Sequence, residues 1–464
     1  CASCYWGVAL VLGPNYNVPM LANRFPAAWQ ALQRAQQLAP SATPVEQALI
    51  AALARRYPGA RPRAPDAMAP FNQAYADAMT EVAGQFPDDL DVQTLRAEAL
   101  MDLAPWKLWT ADGKPAQHTV EILMTLESVL ARDPRHPGAN HYYLHAVEAS
   151  PQPGRALASA DRLPALMPGA GHIVHMPAHI YQRVGRYADA SAANRRAAEI
   201  DQRYLPGAPA WGYYGMYLSH NCGFLSYSAA MEGRSAESLA AARCAARTFP
   251  AVMLAMMPGM DFFVAEPLLA MVRFGKFDGI LATPRPDPGY PTLTALWLHA
   301  HGLARAATGD LAAADADLAE LRRMAAQTAP GAVTLTNEVR DILDVGTRTL
   351  EAVLAHKRGD PRELALWDAA VAAEDRLSYS EPSDWFYPVR HYQGEALLEL
   401  GRWSDAEAVY RADLANHPRN GWALWGLVRA LRGQHRDREA AAVDQEFHRA
   451  WANADFALTA TAFW

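Results

Sequence analysis

Six of the chain's fifteen histidines crowd between positions 141 and 220: His141, His145, His172, His175, His179 and His220. His141 and His145 are four apart, with Glu148 three residues further on. His175 and His179 are also four apart, and His172 lies three before His175. On an α-helix, residues three or four apart share a face. Neutral imidazole is a ligand for copper, zinc, iron and nickel, and a pair on one helix face can grip one ion. The second pair follows the first by 34 residues. This spacing points to transition-metal binding through all six histidines. Six imidazoles suffice for two ions held three by three, and three with an open position suffice for one catalytic ion. His220 is assigned a catalytic as well as a ligand role. Glu148 is read as a ligand or as a general base to metal-bound water, or more plainly as a helix end before Pro151. A lone histidine on a helix is usually a packing or surface residue; the matched spacing singles this set out.

The elements that must carry these residues are helices arranged as repeats. A glycine followed by a charged or polar segment recurs at Gly185, Gly233, Gly275, Gly309, Gly359, Gly401 and Gly433. Successive gaps are 48, 42, 34, 50, 42 and 32 residues. Two of them sit at or near the 34-residue tetratricopeptide period. The flanks are rich in Ala, Leu, Glu and Arg with apolar residues at spacings of three and four, a helical pattern. Each unit therefore reads as a helix, a left-handed turn at glycine, and a second helix capped by an acidic or polar residue. Such hairpins must stack to bury their apolar faces. The predicted class is all-α: a tetratricopeptide-like helical-hairpin solenoid winding as one right-handed superhelix. It spans residues 1–464 as a single array, with histidine-bearing repeats at 137–235 and C-terminal repeats at 382–464. Two Pro-rich surface loops, 56–70 and 282–291, interrupt it.

The register follows from Trp422-x-x-Trp425-Gly426 and from Ala406-x-x-x-Tyr410 with Pro418, which fit the repeat pattern. It starts first helices near Pro137, Gly171 and Ser219. The histidines and Glu148 then lie away from the mating face used by Ala178 and Tyr181, on the concave side. His299 and His391 compute to the same groove further along.

These residues resemble the tetratricopeptide repeat superfamily over nearly the whole chain. More narrowly the chain resembles a bacterial family of large tetratricopeptide proteins. The resemblance rests on Cys4-Tyr5-Trp6-Gly7, on the HxxxHxxE motif of His141, His145 and Glu148, and on the HxxHMPxH motif of His172, His175, Met176, Pro177 and His179. Arg419-Asn420-Gly421-Trp422 and Ala450-Trp451 also match. It implies the fold and a histidine pattern but no reaction. It further implies residues preceding Cys1, and a second histidine three positions after His220. Gly223 stands there instead, with Cys222 beside it, which favours a mononuclear site.

The totals exclude several classes. Half the residues are apolar (51%) and 20% charged, so the chain can bury a large core. A net charge of −7 offers no basic footprint for nucleic acid, and no window is apolar for long enough to span a membrane. Four cysteines are too few for a disulfide scaffold. Cys1 and Cys4 form a CxxC followed by Tyr5, where a c-type haem site needs His. No P-loop, dinucleotide fingerprint, GxSxG elbow or HExxH occurs. Met253, Met256, Met257 and Met260 could supply soft ligands but read better as core filler. Tyr142, Tyr213, Tyr214 and Tyr217 could stack on a substrate.

Two functions follow. One is a metal-dependent enzyme acting oxidatively on a small molecule or peptide, with copper first, then iron or zinc; its variant is a zinc hydrolase using Glu148. The other is a protein-binding scaffold, the common job of such repeats. Histidines at inner positions are poor clamps for a peptide carboxylate at neutral pH, which favours the enzyme. The compartment, periplasm or cytoplasm of a bacterium, stays open.

Overall fold

A computed structural model of the chain describes residues 1–207 and 213–464, apart from the side chains at 213, 255 and 256. Among the described residues there are 24 α-helices, five short 3-10 turns and no β-strand. Two compact units result, Cys1–Leu166 and Met167–Trp464. The histidine-bearing stretch 137–235 is divided between them.

The first unit holds α1 (Ala2–Val11), α2 (Phe25–Leu38), α3 (Pro44–Arg56), α4 (Ala69–Gln85), α5 (Leu90–Met101), α6 (Thr119–Arg132), α7 (Pro137–Glu148) and α8 (Leu157–Leu166). Helices adjacent in sequence pack on one another. Its buried Arg56 pairs with Asp102 at 3.0 Å and lies over the Tyr75 ring.

The second unit opens with α9 (Gly171–His175) and is then built from seven hairpins. They are α10 (Pro177–Arg183) with α11 (Tyr187–Tyr204), α12 (Tyr213–Met231) with α13 (Ser235–Thr248), and, after α14 (Ala251–Met256), α15 (Glu266–Arg273) with α16 (Phe277–Leu281). There follow α17 (Pro291–Thr308) with α18 (Leu311–Ala326), α19 (Val339–Arg358) with α20 (Glu363–Glu374), α21 (Val389–Glu399) with α22 (Trp403–Asn416), and α23 (Gly421–Gly433) with α24 (Asp437–Ala450). Six turns place their glycine at positive φ: Gly185, Gly233, Gly275, Gly309, Gly359 and Gly401. The seventh differs. Gly433 remains helical under the Trp403 ring, and His435 takes the left-handed conformation at φ 60°.

The capping chemistry also differs from expectation. Only Asp310 caps its helix as predicted, accepting from the Ala313 amide at 3.1 Å. In four others an arginine occupies the N-cap and pairs with an acid three residues on: Arg186–Asp189, Arg234–Glu237, Arg402–Asp405 and Arg436–Glu439. The acid falls in the first turn, where the helix dipole favours negative charge. First helices begin at Pro137 and Gly171 as expected, but α12 begins at Tyr213, six residues before Ser219. The 56–70 loop carries a 3-10 turn at Pro65–Met68, and 282–290 is non-helical up to the start of α17.

Within this second unit the array closes on itself. Trp422 on α23 donates its indole N–H to the Ala230 carbonyl of α12 at 2.8 Å. Asp455 accepts from the Ser235 and Ala236 amides at 2.6 and 3.0 Å, capping α13 from 220 residues away. A β-carbon at Gly233 would run into the Trp451 indole. Trp464 packs among His356, Trp367 and Tyr392.

A disulfide joins Cys222 on α12 to Cys244 on α13, a pairing the cysteine count did not suggest. Cys1 and Cys4 are free and exposed, and Cys1 Sγ caps α1. The bridge closes a loop with a sequence separation of 22. Replacing both cysteines by serine should therefore lower stability by about 3 kcal/mol, read as a fall in the urea midpoint that matches the effect of reductant on the unaltered protein.

Candidate metal centre

The second unit brings three histidines together. His175 and His179 come from α9 and α10, which run on through Met176 as one helical path. His220 comes from α12. The Nε2 atoms of His175 and His179 are 2.7 Å apart, and those of His175 and His220 are 3.1 Å apart. All three ligand nitrogens lie within 4.8 Å of one another. A tetrahedral ion bound at about 2.0–2.1 Å separates its nitrogen ligands by roughly 3.3 Å, so the spacing suits a single ion.

Two of the rings have their protonation fixed from behind. Asn194 on α11 donates its amide N–H to the Ala190 carbonyl at 2.8 Å, so its carbonyl oxygen faces His175 Nδ1 at 2.6 Å. That oxygen can only accept, so the proton sits on Nδ1 and the lone pair on Nε2, facing the cluster. His179 Nδ1 meets the Glu381 carboxylate. This is the arrangement in which a carboxylate or carbonyl orients a ligating imidazole and raises its basicity. His175 and His179 are fully buried and His220 is half-buried. Phe224 backs the cluster, stacked on the His179 ring with centroids 5.3 Å apart.

Glu381 lies on the segment between α20 and α21, and Asn337 holds that segment. The Asn337 side chain accepts from the Ser378 amide at 2.7 Å and donates to Asp384 at 2.7 Å, which also accepts from Thr334. Tyr379 donates to the other Glu381 oxygen.

The remaining candidates are placed as follows. His172 lies beside His175 with ring centroids 6.2 Å apart and meets Tyr217 edge-on. In the first unit, His141 and His145 are neighbours on α7 with centroids 5.0 Å apart. Burial and the neighbouring His145 push the His141 imidazole well below its ordinary value, and burial pushes His145 down to about 3. Both are therefore in the neutral, ligating form. Glu148 is buried and accepts from His145 Nδ1 at 3.1 Å, as Glu381 does from His179. Tyr16 and Trp106 lie against the His145 ring. Tyr142 stacks on His141 and Tyr214 on Tyr204. The side chains of Tyr213 and Met256 lie outside the described residues. Met257 is exposed and Met260 buried, so the methionines do not share one surface.

Two candidates are corrected. His299 is a core residue, donating from Nδ1 to the Gly346 carbonyl at 2.9 Å and accepting from the Tyr387 hydroxyl at 2.5 Å. His391 is held by Asp413 at 2.9 Å. Gly223, where the resemblance implies a histidine, leaves its space to Glu266, whose Oε2 lies 2.8 Å from where a β-carbon would be. Burial raises the Glu266 carboxyl to about 8. Sequence reasoning missed Asn194, Glu381 and Glu266. Asn194 lies 19 residues after His175 on the partner helix of the same hairpin, a position the repeat register could have reached. Glu381 has no local signal.

No family model and no curated protein matches the chain. Among solved structures it is similar to a human IFIT1 dimer with m7Gppp-AAAA, at 12% identity and a TM-score of 0.39 over 98% of this chain and 91% of that one. It is also similar to yeast Tom70, at 13% identity and a TM-score of 0.33 over 97% and 92%. At these values the likeness carries nothing about function.

The geometry makes Glu381 a positioning residue. Glu381→Gln should weaken zinc or copper binding to the purified apoprotein by about 10–100-fold, measured by competition with a chromophoric chelator, with the far-ultraviolet circular dichroism unchanged.

Proposed function

We propose that this protein is a metal-dependent enzyme whose ion sits on His175, His179 and His220. The observation that supports it is the convergence of three Nε2 atoms, two of them with the opposite nitrogen's proton fixed by Asn194 and Glu381. A hydrogen-bonded core cluster would not need two acceptors turned towards each other with a third ring nitrogen beside them.

The all-imidazole donor set suits copper, iron and zinc. Glu381, the carboxylate that the second unit brings to the cluster, is engaged in holding His179. The ion itself is then the reactive group, which favours copper or iron and oxidative chemistry over zinc hydrolysis. When bound, such an ion supplies one-electron chemistry and activation of dioxygen. The chain's own residues have separate tasks. His175, His179 and His220 hold the ion, and His220, the half-buried member, faces the side from which a substrate arrives. Phe224 excludes water from behind. In the second unit His172 lies beside His175; in the first unit His141 and His145 form a candidate pair of their own, with Glu148 orienting His145 rather than serving as a free base. The substrate is a small molecule or a peptide. A protein-binding role of the remaining hairpin surface is compatible with this reading and is not needed for it.

Protein purified without a histidine tag should carry about one equivalent of copper or iron. His175→Ala should lose that metal and any associated oxidase activity while keeping its helical content, whereas His435→Ala, in the last hairpin turn, should keep both. Equal metal in the two variants would falsify the assignment. Zinc alone in the unaltered protein would redirect it to hydrolysis. Collapse of helicity in His175→Ala alone would make the ion a structural staple.

A further inference from the structure

Of the chain's four cysteines, two are sealed and two are open. Cys222 and Cys244 bridge α12 to α13, and Cys222 is buried among Ala198, Leu218 and Ala245. Cys1 and Cys4 are free and exposed. They are three residues apart at the start of α1, a Cys-x-x-Cys pair that the metal centre leaves unused.

The structure holds the pair as a unit. The Cys1 sulfur accepts from the Cys4 amide at 3.3 Å, so it rests against the residue that carries the second thiol. The Tyr5 amide donates to the Cys1 carbonyl at 3.4 Å, which keeps Cys1 in the first turn. Residues three apart on such a turn have Cα atoms about 5 Å apart, inside the window of roughly 4.4–6.8 Å that a disulfide spans. Cys1 is the N-cap, so its side chain is not held to helical rotamers. The two residues between the cysteines are anchored: Ala2 is buried, and Ser3 donates to Glu46 of α3. The backbone is thus fixed on the inner side while both sulfurs stay on the outer one. A bridge over two intervening residues restricts the unfolded chain less than one over a separation of 22, so it adds less stability. Cys222–Cys244 is the staple. An exposed pair this close in sequence is suited to opening and closing.

We propose that Cys1 and Cys4 form a redox-active dithiol that exchanges with an external disulfide. Cys1 attacks first, because an N–H donated to its sulfur favours the thiolate. Its sulfur bonds to one sulfur of the incoming disulfide. That S–S bond breaks, and the departing thiolate takes up a proton. The Cys4 thiolate then attacks the Cys1 sulfur, the mixed disulfide breaks, and the second thiolate leaves and is protonated in turn. Two cysteine thiols are oxidised to one disulfide, and one external disulfide is reduced to two thiols. The two protons lost by the cysteines end on the two leaving thiols. The site belongs to the first unit and uses none of the residues assigned to the metal.

The test is thiol counting by alkylation and mass spectrometry on the full chain, treated with EDTA and equilibrated in glutathione buffers from reducing to oxidising. The chain should pass in one two-electron step from two alkylatable thiols to none, while Cys222–Cys244 stays bridged. Cys4→Ser should accumulate one glutathione on Cys1, and the unaltered protein should not. Cys1→Ser should react with glutathione disulfide roughly tenfold more slowly than Cys4→Ser. A bridged peptide run beside glutathione disulfide separates a protein substrate from a small one, the faster oxidant being the assigned class. Both variants change exposed side chains, and circular dichroism checks that the helices persist. Thiols that stay alkylatable in oxidising buffer, glutathione on both cysteines of the unaltered chain in place of a Cys1–Cys4 bridge, or equal reactivity of the two variants would overturn the proposal. The measurement is made on metal-free protein, so such a failure is separate from failure of the metal centre.

Discussion

Two imidazole lone pairs turned towards each other in a dry interior repel unless a positive centre lies between them. His175 and His179 are in that position, with His220 adding a third nitrogen. Asn194 and Glu381 enforce it by occupying the opposite ring nitrogens, so neither ring can relieve the contact by changing tautomer. Much of the second unit serves this arrangement. The α10–α11 hairpin sets Asn194 behind His175, the disulfide ties the helix bearing His220 to its partner, and Asn337 pins the segment that delivers Glu381. The fold holds two acceptors and a third ring nitrogen at a spacing that suits a cation.

The hairpins solve a smaller problem in the same manner. Each turn needs a residue at positive φ, and six glycines meet it without steric cost. Each second helix then starts with amides that lack partners. In four hairpins a first-turn acid answers their positive end, and the arginine at the N-cap holds that acid in place. This ion pair replaces the acidic or polar side-chain cap that the sequence leads one to expect.

This explains which features were legible. Glycine spacing is a local steric requirement, so the turns were visible and their order gave the hairpins. The steps of three and four among His172, His175 and His179 and the 34-residue offset from His141 and His145 are also local, so the candidate ligands were visible. Gly433 misled because its reason for being glycine is the Trp403 ring packed on it, a tertiary contact. The start of α12 was missed because the register was extrapolated from Gly233 rather than read from Tyr213 onward. Glu381 was out of reach for a different reason. It lies 202 residues beyond His179, and nothing around Ser380-Glu381-Pro382 indicates a ligand-orienting role.

An open row of hairpins can gain or lose a member at either end, because each touches only its neighbours. The second unit cannot. Trp422 reaches back to Ala230, and Asp455 supplies the start of α13, so its circumference is set by seven hairpins together. An eighth would push Trp451 off Gly233. The same closure orders events during synthesis: α13 leaves the ribosome more than two hundred residues before the aspartate that caps it. The start of α13 therefore lacks its cap until Asp455 has been made.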